Sequence, residues 1–176
     1  MNAEQLKAAI RNVPNFPIEG IQFKDITTAM ANPECLRYMK DEIVSLYQGK
    51  GITKVVGLES RGFILGGAIA AELNAGFVLV RKPGKLPADT IEVSYSKEYG
   101  TDRIQMHSDA LCADDVVLIH DDLLATGGSM AAAIELVRKF GVKKIYVNFI
   151  IELDGLEGRR VLTDVEVTSL VHFPDK

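Results

Sequence analysis

Residues 116–130 read VVLIHDDLLATGGSM and hold a strand, two acids and a loop in succession. Val116-Val117-Leu118-Ile119 is an apolar, β-branched run of the kind that parallel sheets bury on both faces. Asp121 and Asp122 stand where that strand is expected to end. Ala125-Thr126-Gly127-Gly128-Ser129 follows, a small-residue loop running into a helix expected from Met130. Such a loop offers several backbone N–H groups and the positive end of a helix dipole to an anion. Gly127 and Gly128 permit close approach, and Thr126 and Ser129 add hydroxyl donors. The pattern predicts a ligand with a phosphate for the loop and sugar hydroxyls for the acids. Each half alone is common in α/β proteins, where Asp caps helices and Gly makes turns. Their conjunction directly after a buried strand is what points to a site. No Lys follows the second glycine, so this is not a Walker P-loop, and the chain has no GxGxxG dinucleotide fingerprint.

Outward from that block, strand and helix signals alternate. Residues 3–12 have the pattern of a short helix closed by Pro14. Asn32-Pro33 supplies an N-cap and a proline at the first helical position, after which Leu36, Met39, Ile43 and Leu46 share one face as far as Gly49. Strands are expected over 52–58, 77–80, 145–151 and 165–171, with helices over 63–73 and 130–140. Alternating strands and helices imply an α/β fold, a Rossmann-like parallel sheet with helices on both faces. Ligands of such sheets sit beyond the C-terminal ends of the strands, and every candidate binding segment here follows a strand.

A chain of 176 residues is one domain's worth. Hydrophobic residues make up 47% and charged residues 25%, and no run approaches the ~18 apolar residues of a membrane span. The opening MNAEQLKAAIRNV lacks the apolar core of a secretory signal. Cys35 and Cys112 have neither metal-ligand nor redox spacing and read as reduced thiols of a cytoplasmic protein. A net charge of −4 argues against a nucleic-acid or membrane surface. Phosphate recognition must therefore come from local basic clusters and backbone donors.

Two such clusters follow strands. Gly57-Leu58-Glu59-Ser60-Arg61-Gly62 is a second loop-to-helix junction, with Arg61 able to grip phosphate oxygens through two parallel bonds. Arg81-Lys82-Pro83-Gly84-Lys85 carries three cations within five residues, on a stretch that proline keeps out of helix and central strand. Ile91, Val93 and Tyr95 alternate as a strand would, and residues 103–106 are placed to pair back against them. The tip between, Ser96 to Asp102, is polar and holds a glycine. Residues 15–27, NFPIEGIQFKDIT, form a Pro/Gly-punctuated segment with Phe16 and Ile18 expected to strap it to the core.

Taken in order, these motifs resemble those of the type I phosphoribosyltransferases, over a stretch from about Phe16 to the end of the chain. The strand, acid pair and TGGS loop are similar to that family's phosphoribosyl pyrophosphate motif, and the LLATGGS form is most similar to its adenine-using members. The resemblance implies transfer of 5-phosphoribosyl from phosphoribosyl pyrophosphate to adenine, giving AMP and pyrophosphate. It implies that Ala125, Thr126, Gly127, Gly128 and Ser129 hold the 5-phosphate and that Asp121 and Asp122 hold the ribose hydroxyls. Ser60 and Arg61 would belong to the pyrophosphate loop, with a cis peptide between Glu59 and Ser60, and Arg81, Lys82 and Lys85 would take up pyrophosphate charge. Glu98 would be the acid/base near the purine N7, with Tyr99 closing the site on a flexible loop over about 90–106. A hood over about 10–30 would cover the base, with Phe23 stacking on it and Ile21 backbone reading its edge. Many relatives carry Arg where Lys24 stands, which leaves the part of Lys24 at the base open. Mg²⁺ is expected to ride on the substrate with no dedicated protein cage, and a homodimer is the family's usual form. A 6-oxopurine enzyme on the same fold is the alternative, and a phosphoribosyl-pyrophosphate-sensing regulator a more distant one.

His107, His120 and His172 have no metal-ligand spacing. His120 stands where most relatives have an aliphatic residue, and it reads as a buried, hydrogen-bonded histidine packed beside the acids. Strand alternation puts His120 and Asp122 on one side and Ile119 and Asp121 on the other.

Overall fold

The computed structural model describes residues 1–97 and 100–174. Helix α1 (Ala3–Ala9) begins at an Asn2 capping box. Strands β1 (Arg11–Pro14) and β2 (Gln22–Asp25) form an antiparallel pair, followed by the one-turn α2 (Thr27–Met30) and by α3 (Pro33–Tyr47). Then come β3 (Lys54–Leu58), α4 (Gly62–Glu72), β4 (Gly76–Val80) and a hairpin of β5 (Thr90–Lys97) with β6 (Gly100–His107). The chain ends with β7 (Val116–Leu124), α5 (Gly128–Arg138), β8 (Lys144–Leu153), two 3₁₀ turns (Asp154–Leu156, Gly158–Val161) and β9 (Glu166–Phe173).

The five-stranded sheet runs β4-β3-β7-β8-β9, with every pair parallel. In the chain order of its strands that is 2-1-3-4-5, whose connections change direction between β3 and β7. The chain leaves β3 into α4 on one face and leaves β7 into α5 on the other. A crevice opens between the two strand ends, and both loop-to-helix junctions flagged in the sequence border it.

Apolar alternation along β7 builds two cores. Val117 and Ile119 pack with α5 and the hairpin residues Val93, Ile104 and Met106. Leu118 packs on the opposite face with Met39 and Ile43 of α3 and Leu65 and Ile69 of α4. Burial of this kind stabilises by about 25 cal/mol per Å² of apolar surface removed from water. The α3 stripe is rotated from the expected one. Cys35, Met39, Ile43 and Tyr47 are the buried positions, while Leu46 is exposed. Tyr47 wins the inner place because its hydroxyl finds partners in the sheet, donating to Val147 O at 3.1 Å and lying 2.7 Å from Thr168 Oγ1.

Two other expectations fail. Helix α1 stops at Ala9, because residues 11–14 satisfy their backbone groups in a ladder with β2 rather than in further helix. Phe16 and Ile18 do not strap their segment to the core, since both are exposed. Phe16 instead packs edge-on against Phe23, with ring centroids 5.1 Å apart. The hairpin expected from 91–106 is present, with Ile91 opposite Met106 and Val93 opposite Ile104. No helix among the described residues is long and apolar enough to cross a membrane.

Candidate active site

β7 reaches further than its apolar run. It loses its β3 partner after His120 but stays paired with β8 as far as Leu124. Asp121 and Asp122 therefore sit within a strand, at the point where one of its neighbours has peeled away. Burial pushes the Asp121 carboxyl well above the usual carboxylate range, and the neighbouring Asp122 charge adds to the shift. Burial raises Asp122 as well, and Arg61 holds that rise back through a 2.6 Å ion pair from Nε to Oδ2. Arg61 is brought there by Gly62 behind it. A Cβ on Gly62 would lie 2.7 Å from His120 O, so only a residue without one lets α4 start this close to β7.

The loop after β7 turns on Gly127, whose φ of +82° is a left-handed conformation that glycine adopts freely. From there α5 begins at Gly128, two residues before the expected start. Asp121, Thr126, Gly128, Ser129 and Phe149 are among the residues around a cup of about 100 Å³ at the helix N-terminus. Unpaired N–H groups and the helix dipole make such a cup an anion site. A cavity of about 1020 Å³ opens beside it. Its walls are Ile21, Gln22, Phe23 and Lys24 of the β1–β2 segment, Arg61, and Ser94–Ser96 of the hairpin, together with Thr126, Ser129, Leu153, Leu156 and Val161. Ser129 Oγ donates to the Tyr95 hydroxyl at 3.1 Å, tying the loop to the hairpin.

The remaining predicted residues are placed less uniformly. Glu59 and Ser60 are joined by a cis peptide, as the resemblance implied. Arg81 does not face the cavity. It grips Glu59 with Nε at 3.3 Å and Nη2 at 3.1 Å, and Lys82 N donates to the same carboxylate at 2.9 Å. Arg81 thereby holds Glu59 below the usual carboxylate range. Lys82 and Lys85 project from this braced turn and are exposed. Lys24 lines the cavity, and its ammonium donates to Asn12 Oδ1 at 2.9 Å and lies over the Phe173 ring. Arg61 faces Phe23, its guanidinium carbon 5.9 Å from the ring centroid. Glu98 and Tyr99 lie outside the described residues.

His120 is fully buried, with Nδ1 2.9 Å from Asn148 Oδ1, and burial lowers its pKa to about 4. Asn148 passes the chain on to Thr168 at 2.9 Å, and Thr168 meets Tyr47. The histidine is thus part of a polar line running across β7, β8 and β9, away from the acids.

Sequence reading missed Leu153, Leu156 and Val161 as cavity walls, and Tyr95 as the loop's partner. The signal for the first three was position: they lie at or just after the end of β8, as the other loop-to-helix segments follow strands. Glu152, Asp154 and His172 also converge, and there Glu152 accepts from Arg159 and Ser169.

Comparison with known proteins gives one family. Residues 30–174 match the family described as phosphoribosyl transferase domain. The chain is 60% identical over 172 residues to the adenine phosphoribosyltransferase of Phocaeicola vulgatus, covering 97% of this chain and 99% of that protein. It is 51% identical over 170 residues to that of Geobacter metallireducens, covering 97% and 99%. Among solved structures, adenine phosphoribosyltransferase from Rhodothermus marinus superposes with a TM-score of 0.91 at 53% identity, covering 97% of this chain and 98% of that one. The Giardia lamblia enzyme complexed with 9-deazaadenine superposes with a TM-score of 0.93 at 42% identity, covering 98% of each.

Proposed function

The chain belongs to the phosphoribosyltransferase family, and we propose from that premise how its residues carry out one reaction. It is a glycosyltransferase of purine salvage that transfers 5-phosphoribosyl from phosphoribosyl pyrophosphate to adenine, yielding AMP and pyrophosphate. The observation that carries the assignment of roles is the shared cavity. The anion cup at the start of α5 and the Phe23 side of the β1–β2 segment open into one space.

In this reading the 5-phosphate sits on Ala125–Ser129, and the ribose hydroxyls meet Asp121 and Asp122. Bond breaking at the anomeric carbon builds positive charge on the ribose, and two carboxylates in a buried site stabilise it. Arg61, with Ser60 beside it, faces the pyrophosphate, and Lys82 and Lys85 add positive charge at the rim. Arg81 acts through Glu59, bracing that rim. Mg²⁺ carried by the pyrophosphoryl substrate would supply further neutralisation of its charge beside Lys82 and Lys85. Phe23 stacks on adenine, and the backbone at Ile21 pairs with its edge. Glu98 manages the purine proton and Tyr99 helps to close the site. The whole chain works as one catalytic domain, with residues 10–30 as hood and 90–106 as closing loop. It acts in the cytoplasm as a homodimer, and its free cysteines accord with a reducing compartment.

A radiolabelled-base assay tests the assignment. Adenine, hypoxanthine, guanine and xanthine are each supplied with phosphoribosyl pyrophosphate and Mg²⁺. Nucleotide is expected from adenine alone, and formation from none of the four bases would sink the enzymatic reading. Glu98→Gln is expected to lower kcat by about 10²–10⁴. Near-normal turnover would remove Glu98 from proton transfer.

A further inference from the structure

Glu152 is the penultimate residue of β8, and it is only 5% exposed. Arg159 meets it with two parallel bonds, Nε to Oε1 at 2.6 Å and Nη2 to Oε2 at 2.7 Å. Ser169 Oγ donates to Oε2 at 2.5 Å, and Arg159 Nη1 donates to Val167 O at 2.9 Å. Burial pushes the Glu152 pKa up, but Arg159 and Ser169 together outweigh it and bring it below the usual range. One guanidinium thus fastens the Gly158–Val161 turn to β8 and β9.

That turn touches the loop after β7. A Cβ on Gly158 would overlap the carbonyl oxygen of Ala125. One on Gly127 would lie 2.5 Å from Gly158 O and 2.7 Å from Val161 Cγ2. The two segments therefore meet backbone to backbone. Ala125-Thr126-Gly127-Gly128 has little side chain with which to fix its own shape, and a glycine-rich loop left to itself samples many conformations. Its support has to come from outside, and the turn is in direct contact.

We propose that Arg159, acting through Glu152, is a positioning residue for the substrate's 5-phosphate: it presses Gly158 against Ala125–Gly127 and so holds the loop's N–H donors in their anion-binding arrangement. This rests on the phosphoribosyl-transfer reading above. The planar fork of Arg fixes direction as well as distance, which an ammonium would not.

Two variants test it, Arg159→Gln and Gly158→Ala, with steady-state kinetics, titration of ribose 5-phosphate by calorimetry, and thermal melts. Gly158 is not among the positive-φ residues, so alanine suits its own backbone and acts only through the added methyl. Both variants are expected to raise KM for phosphoribosyl pyrophosphate and Kd for ribose 5-phosphate at least tenfold, with kcat changed less than threefold. A merely structural anchor would lower the melting temperature and the active fraction, hence apparent kcat, with KM untouched. KM within twofold of wild type in either folded variant overturns the proposal, and should Arg159→Gln fail to fold, Gly158→Ala decides it alone. Wild-type protein that forms no AMP would instead overturn the phosphoribosyl-transfer reading, a separate outcome.

Discussion

Two adjacent strands of this sheet carry carboxylates near their C-terminal ends, and their surroundings treat them in opposite ways. Glu152 on β8 is matched: Arg159 and Ser169 occupy its oxygens, and its pKa falls below the usual range. Asp121 and Asp122 on β7 are left under-compensated. Both are raised by burial, and a single guanidinium, Arg61, reaches only Asp122 at 2.6 Å. The Glu152 charge is paired off within the fold, whereas in the proposed reaction the β7 acids are kept for a ligand and stay in electrostatic deficit. In the proposed reaction a cationic transition state would remove that deficit and so be bound more tightly than the ground state.

The sharpest way to break the contrast is to neutralise the β7 acids. Asp121→Asn and Asp122→Asn are each expected to lower kcat by about 10²–10³, the usual cost of deleting one preorganised electrostatic contact. Asp121→Asn should also melt at an equal or higher temperature than wild type at pH 7.5. The sign follows from the raised pKa. Ionised Asp121 is disfavoured in the folded state, so its contribution to stability is fullest below the unfolded value near 3.8 and is lost as pH rises through the folded value. The advantage of the variant should close as pH falls toward 4. A variant that is both active and less stable would show that the acids are structural.

Glu152→Gln should instead cost stability, with kcat little changed and KM for phosphoribosyl pyrophosphate raised through the freed Arg159. It leaves Arg159 half without its partner, and breaking a buried pair from one side costs about 3–5 kcal/mol. Arg159 keeps a solvent-facing edge, so about 2 kcal/mol is expected here, a fall of roughly 4–8 °C in Tm for a chain of this size. A calorimetric melt reads it. An unchanged Tm would mean that the pair is not the matched charge it looks to be.

That contrast was half legible in the sequence. An apolar strand and a TGGS loop announce a buried strand and a loop-to-helix junction, because each depends on residue type and local spacing, although the strand runs past the two acids to Leu124. The parallel order of the sheet followed from strand–helix alternation. The packing partner of the loop did not. Gly158 meets Gly127 across 31 positions of chain, and nothing local marks either as half of a contact. Arg81 illustrates the same limit: a cation after a strand reads as phosphate-facing, yet Glu59, 22 residues away, claims it. Tyr47 displaced Leu46 on α3 because its hydroxyl partners lie 100 and 121 positions further on. Where two local readings are nearly equal, a distant partner decides between them.

His120 offers a finer probe, since it sits one residue before the acids yet belongs to the opposite polar line. Its pKa of about 4 means that folding favours the neutral ring. That contribution is intact above the unfolded value of 6.5 and is lost as pH falls from there through 4. In melts between pH 7 and pH 4, His120→Val should flatten the acid decline of wild type, whereas Asp121→Asn should steepen it. Because Nδ1 is turned to Asn148, the pH–rate profile of His120→Val should match that of wild type. A shifted profile would tie the histidine to the acids after all.

The smallest effect is expected where the anion cup meets the hairpin. Ser129 Oγ and the Tyr95 hydroxyl are 3.1 Å apart, and Tyr95 also donates to Asp102 at 3.3 Å. A 5-phosphate on the loop would compete with Tyr95 for the Ser129 hydroxyl. Tyr95→Phe removes that competitor while keeping the ring against Gly128. A neutral hydrogen bond of this kind is worth about 0.5–1.5 kcal/mol net. The part-exposed setting favours the lower end, so KM for phosphoribosyl pyrophosphate should fall by about twofold. Ser129→Ala should instead raise it, because the ligand then loses the donor. If both substitutions raise KM, the Tyr95 hydroxyl is a contact that the bound state keeps, and the hairpin supports the cup rather than competing with its ligand.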